Sequence, residues 1–227
     1  MVNLVQLKDT IQADSELKAL QLFVETKMRE QGPIDQGHDL AHFLRVAFWT
    51  IKIAGDLADT REAIAAALLH DIVNVPKNSP LRKEASKLCA EEAERVLPSY
   101  GFSADAIARI SEAIRCHSFS RGEIPTSPLA KALQDADRLE ALGSIGIMRC
   151  ISVGTRMNGE FFNSADPWAK ARALDDGRYS IDHFYTKLLK LPQSMTTEAG
   201  RAEAQKRADT MKLFLERLGE ELGEPAP

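Results

Sequence analysis

The sequence predicts an all-α fold, a single helical bundle. Aromatic residues make up only 6% of the chain. Alternating runs of Val, Ile and Thr are absent, whereas Ala, Leu, Glu, Lys and Arg recur at helical spacing through most segments. At 227 residues the chain is long enough to enclose a sizeable core, and its 44% hydrophobic and 27% charged content excludes disorder as the main theme.

The helices are expected in this order. The first covers about Ser15 to Glu30 and is stopped by Gly32-Pro33, because proline lacks the donor the helix needs. The second starts near Gly37, where Leu40, Phe43, Leu44, Ala47, Ile51 and Ala54 form an apolar stripe. Thr60 then caps a third helix running to about Asp71, followed by a loop over 73–81 that contains two prolines. Helices at about Leu81 to Leu97 and Ser103 to His117 come next. After a loop from Ser118 to Ser127, a long helix runs from Pro128 to about Ile151, with proline in its first turn. A less regular stretch from Gly154 to Gly177 precedes a short helix near Ile181 to Leu191 and a final amphipathic helix from about Thr197 to Leu222. The final helix either packs on the bundle or forms a dimer, so both a monomer and a homodimer fit.

Charge and cysteine usage exclude several classes. The formal net charge of −4 provides no global field that would draw the chain to nucleic acid or an anionic membrane. Three cysteines, Cys89, Cys116 and Cys150, form no Cys-x-x-Cys pair and indicate neither a disulfide framework nor a zinc knuckle. The segment Met1 to Thr10 lacks the pattern of a signal peptide, and the strongest apolar run, Ala63 to Leu69, is too short to cross a bilayer. A cytoplasmic protein is expected. Phosphate-loop, dinucleotide and Gly-x-Ser-x-Gly motifs are missing from the sequence.

Three segments can carry chemistry. The doublet His70-Asp71 ends the apolar run Ala-Ile-Ala-Ala-Ala-Leu-Leu, where a carboxylate is both desolvated and at the negative end of the helix dipole. It needs a cation, unless Asp71 caps the following turn and His70 bonds a terminal carbonyl. Asp137 projects from a face of small and apolar residues, Ala130, Leu133, Ala141 and Ser144, while Asp135 and Glu140 are expected to face solvent or secondary partners. Its ordinary explanation is an internal salt bridge. His42 borders the apolar stripe, with His38 one turn earlier at the helix entrance; position 39 is not Glu, so this is no metalloprotease motif. Taken together, two neutral imidazoles and two carboxylates form a ligand set of charge −2, which neutralises a divalent ion in the interior.

The ordered set His42, His70-Asp71, Asp137 resembles the HD-domain superfamily of metal-dependent phosphohydrolases, whose pattern is His, His-Asp, Asp on a helical bundle. Within it the chain resembles the small stand-alone bacterial branch, through His42-Phe-Leu-Arg45-Val46, Leu69-His70-Asp71, His117-Ser-Phe-Ser and Gln134-Asp-Ala-Asp137-Arg-Leu-Glu-Ala-Leu-Gly. The likeness implies one HD-type domain over 1–227, with a metal-site core at about 37–151 and a helical extension at about 178–222.

It also implies a single divalent ion (Mn, Mg, Ni, Co or Fe) held by His42, His70, Asp71 and Asp137, with positions left for water and a substrate oxygen. The implied reaction is hydrolysis of a phosphoester or phosphoanhydride of a nucleotide or small phosphorylated metabolite. Asp71, His117 and Lys77 are the expected catalytic residues, and Lys77, Arg45, Arg138, His117 and His38 the expected substrate contacts. Arg45 and Arg138 are equally explained as ion-pair partners, and His117 as a helix-end residue. A non-catalytic metal- or nucleotide-binding sensor or scaffold is the alternative. His183 lies outside the pattern and is expected to be structural.

Overall fold

A computed structural model describes residues 3–30, 39–75, 79–118 and 122–227. The fold is all α. Among the described residues there are ten α-helices, and the extended pairing consists of an isolated bridge between Glu160 and Tyr179. The chain divides into two compact units, Met1–Asp137 and Arg138–Pro227.

In the first unit, helix α1 (Leu4–Ala13) was not foreseen, although its signals are present: Asn3 and Gln6 form a reciprocal capping box, and Leu7 and Ile11 bury one face. Asp14 separates it from α2 (Ser15–Glu30) and accepts hydrogen bonds from the Glu16 and Leu17 amides at 2.9 and 3.0 Å. Helix α3 (Leu40–Ala54) is capped by Asp39, whose carboxylate accepts from the His42 amide at 2.8 Å and so fixes the turn that carries His42.

Helix α4 (Thr60–Leu69) is capped by Asp59 rather than Thr60; the Asp59 carboxylate takes the Arg61 and Glu62 amides. From Ala63 to Leu69 every residue is buried, and α4 packs against α2, α3 and α6 at the centre of the core. Glu62, the charged residue at its entrance, is held by the fork of Arg109 at 2.9 and 2.5 Å. The helix ends two residues earlier than expected. Asp71 therefore lies on the following turn and is half-buried.

Helices α5 (Ala85–Val96) and α6 (Ala104–Cys116) pack against each other, the latter capped by Ser103. Helix α7 (Pro128–Leu139) carries Asp137 and contributes Leu129, Ala130, Leu133 and Ala136 to the same core.

The expected long helix from Pro128 to Ile151 is interrupted. Helix α8 (Gly143–Arg156) begins after a tight turn in which Leu142 is extended and Gly143 has φ +69°, a conformation that strains residues with a side chain. A Cβ on Gly146 would also lie 2.3 Å from the Ala141 carbonyl oxygen. Apolar spacing continues through both segments, so periodicity alone does not reveal the break.

In the second unit, α9 (Ser180–Thr186) leads into 3-10 turns over Leu188–Ser194. Helix α10 (Glu198–Leu222) packs against those turns and against α8, with Thr197 and Gly223 as caps. The irregular stretch before α9 is held by Asp182, which is fully buried and accepts the fork of Arg172 at 2.5 and 2.8 Å and the Asp175 amide at 2.7 Å. No helix among the described residues is long and apolar enough to cross a membrane.

Candidate metal centre

Four elements of the first unit bring their ends together. His42 comes from the first turn of α3, His70 and Asp71 from the end of α4, His117 from the end of α6 and Asp137 from α7. Their ligand atoms form two overlapping groups, His42-His70-Asp137 and His70-Asp71-His117, each gathered within 4.8 Å. Asp137 Oδ1 lies 3.7 Å from His42 Nε2 and 3.7 Å from His70 Nε2. Asp71 Oδ2 is 3.8 Å from His70 Nε2, and Asp71 Oδ1 is 3.5 Å from His117 Nε2.

These separations exceed those of good hydrogen bonds. They suit atoms arranged around a shared cation, since ligands about 2.1 Å from one ion lie roughly 3 to 4 Å from each other. His70 provides the test of fit. Its Nδ1 donates to the Ala67 carbonyl at 2.7 Å, while its Nε2 is buried with no hydrogen-bond partner. A buried ring nitrogen between two carboxylates calls for positive charge, a proton or a cation. His117 repeats the arrangement, with Nδ1 on the Ile114 carbonyl at 2.6 Å. In both cases a carbonyl left over at the helix terminus accepts the imidazole N–H, which fixes the ring and leaves Nε2 for the site.

The electrostatics follow from this crowding. Burial opposes charge on His70, but Asp71 and Asp137 outweigh it and push the imidazole up to about 9. Enclosure raises the Asp137 carboxyl, yet His70, His117 and His42 together hold it well below the usual carboxylate range. The cluster thus favours positive charge at its centre, which a divalent ion satisfies in place of a proton.

The remaining expected site residues separate. His38 and Lys77 lie outside the described residues. Arg45 is half-buried one turn after His42. Arg138 donates to the Ser194 carbonyl within the second unit. His183 bonds the Asp176 carboxylate at 3.0 Å, also in the second unit. Of the two settings expected for Asp135 and Glu140, solvent is excluded: both are buried, Asp135 on α7 and Glu140 in the turn just after it. One residue not assigned a role from the sequence is Gln134, whose amide nitrogen donates to the Cys116 carbonyl at 2.7 Å in the interior.

The HD domain family model matches residues 39–142, a span that contains all five clustered side chains. The chain is 30% identical to the YpgQ protein of Bacillus subtilis (strain 168) over 192 residues, covering 82% of this chain and 85% of that one. A crystal structure of Bacillus subtilis YpgQ in complex with ADP superposes with a TM-score of 0.68 at 27% identity, over 91% of this chain and 96% of that one. An HD-superfamily hydrolase from Bacillus thuringiensis superposes with a TM-score of 0.67 at 26% identity, over 91% and 96% of the two chains.

Proposed function

The chain belongs to the HD-domain family, and from that premise we propose that it is a divalent-metal-dependent phosphohydrolase acting on a nucleotide or a similar small phosphorylated metabolite. The observation that carries the reading is the buried Nε2 of His70, which lies 3.8 and 3.7 Å from oxygens of Asp71 and Asp137 and makes no close hydrogen bond to either. In this reading His42, His70, Asp71 and Asp137 hold one ion. When bound, the ion acidifies a water molecule and polarises the phosphoryl group.

The chain's own residues supply the rest. Asp71 presents two oxygens to different neighbours, Oδ2 toward His70 and Oδ1 toward His117, and so links the ion's ligands to a group that can carry a proton. His117 either hydrogen-bonds a phosphate oxygen or protonates the leaving oxygen; its Nδ1 is committed to Ile114, so Nε2 performs either task. Lys77, just past the doublet, and Arg45 are the cations assigned to the phosphate. The ADP complex of YpgQ supports a nucleotide as the substrate class.

The test is a panel of nucleoside mono-, di- and triphosphates and simple phosphoesters, assayed with Mn, Mg, Ni and Co, with phosphate and pyrophosphate release measured separately. Wild type is expected to hydrolyse at least one nucleotide, and Asp71→Ala to lose both turnover and bound metal. Stoichiometric metal with no turnover on any substrate would instead identify a sensor or scaffold.

A further inference from the structure

The C-terminal carbonyls of α6 are taken up by side chains from three different places. His117, following the helix, donates Nδ1 to Ile114 at 2.6 Å; Ser86 on α5 donates its hydroxyl to Arg115 at 3.1 Å; and Gln134 on α7 donates its amide to Cys116 at 2.7 Å. Helix termini leave such carbonyls without intrahelical partners, so each needs a donor. Ser86 and Gln134 are both almost fully buried, and water cannot readily substitute for either. The two differ in what else their helices carry. Gln134 lies one turn before Asp137, whereas α5 contributes nothing to the metal cluster.

We infer that Gln134 is a positioning residue for the metal centre, setting the distance between Asp137 on α7 and His117 at the end of α6. This inference rests on the metal-site reading above. The Cys116 carbonyl immediately precedes His117, so one hydrogen bond connects the helix carrying one clustered carboxylate to the turn carrying the outer imidazole. Without the amide donor, α7 loses the hydrogen bond from Gln134 to that turn, and Asp137 Oδ1 no longer keeps its place relative to the Nε2 atoms of His42 and His70. Outer hydrogen bonds of this kind typically alter metal affinity by about 10- to 100-fold.

The experiment compares Mn(II) affinity, read from free Mn(II) by electron paramagnetic resonance, with thermal stability in wild type, Gln134→Met, Gln134→Asn, Ser86→Ala and Asp137→Ala. Gln134→Met retains length and volume without a donor, and Gln134→Asn retains the donor on a shorter arm. Both Gln134 variants are expected to bind Mn(II) about tenfold more weakly or worse. Ser86→Ala, which removes a neighbouring bond to the same helix end, is expected to lower the melting temperature while leaving Mn(II) affinity within twofold of wild type. Equal weakening in Ser86→Ala, or wild-type affinity in both Gln134 variants, overturns the inference. If wild-type protein binds no Mn(II), or binds it as well after Asp137→Ala, the metal-site reading fails with it. If binding depends on Asp137 but is indifferent to Gln134, only the positioning role falls.

Discussion

Phe43 stands edge-on to His70, with ring centroids 5.2 Å apart and planes at 88°. It is 1% exposed and lies next to His42 in sequence, so one aromatic side chain backs the ring of a fully buried ligand while its own helix presents another. Truncating it opens a cavity behind the metal cluster. Phe43→Ala is expected to destabilise the protein by about 3–5 kcal/mol in urea unfolding with excess chelator. It is also expected to weaken Mn(II) binding when the ion is restored. Unchanged binding in a destabilised variant would mean that the Ala67 carbonyl alone is sufficient to orient His70.

His117 faces Asp71 but not the other carboxylate at close range. His117→Gln is therefore expected to retain bound Mn(II) and to lower turnover by about 10²- to 10⁴-fold, the usual contribution of a positioned proton donor. Metal analysis and steady-state kinetics on the same sample decide the matter. Loss of metal in step with activity would make His117 a ligand.

Asp14 joins α1 to α2 and meets Arg61 at 2.9 Å. The Leu17 amide first, with the Arg61 guanidinium and the Glu16 amide behind it, outweighs the opposing effect of burial and lowers its carboxyl below the ordinary value of 3.8. The folded-state pKa is depressed, so this contribution is present above about pH 4 and disappears as pH falls through the folded value. Asp14→Ala is expected to cost about 1 kcal/mol at pH 7. The difference from wild type should shrink as pH falls through the folded value, as measured by denaturant unfolding across the acid range. A difference that persists at acid pH would assign the effect to packing.

Asp182 organises the second unit through Arg172 and the Asp175 amide. Asp182 is enclosed, whereas its partner Arg172 is partly exposed and can turn to solvent. Asp182→Ala is expected to cost about 1–3 kcal/mol, chiefly through the Asp175 amide left without its acceptor, and Asp182→Asn less, because the amide oxygen still accepts from Asp175. Equilibrium unfolding of the two variants provides the comparison. The clustered histidines and carboxylates all lie in the first unit, so metal binding by the natively folded fraction should be retained in both.

Most helices were legible because their caps and stripes are local. Ser103 and Thr197 head α6 and α10 as their residue types predict, and Leu40 through Ala54 forms one continuous stripe. The break after α7 was not legible, since the residues on either side of Gly143 keep apolar helical spacing and only the backbone geometry reveals the turn. At the site, the order His42, His70-Asp71, Asp137 could be read because each of these charges or rings sits on an apolar segment that otherwise rejects it. The two explanations of His70, as a helix-end residue bonding a carbonyl and as a metal ligand, turn out not to compete, because they use different ring nitrogens. The link from Gln134 to Cys116, by contrast, depends on how two distant helix ends meet, which spacing along the chain does not encode. Spacing left Asp135 and Glu140 open between solvent and secondary partners, and their burial removes the first: Asp135 lies on a second enclosed face of α7, and Glu140 follows the helix, where helical periodicity no longer applies.

The anchoring of two imidazoles to their own helix ends affects how the centre is loaded. Rings held by neighbouring carbonyls have their orientation set within the fold itself, independently of any ion. On the metal-site reading, capture would then require little rearrangement of His70, the ligand among the two, and its orientation would persist after an ion leaves. Exchange of one dication for another should accordingly be limited by dehydration of the incoming ion rather than by motion of these rings.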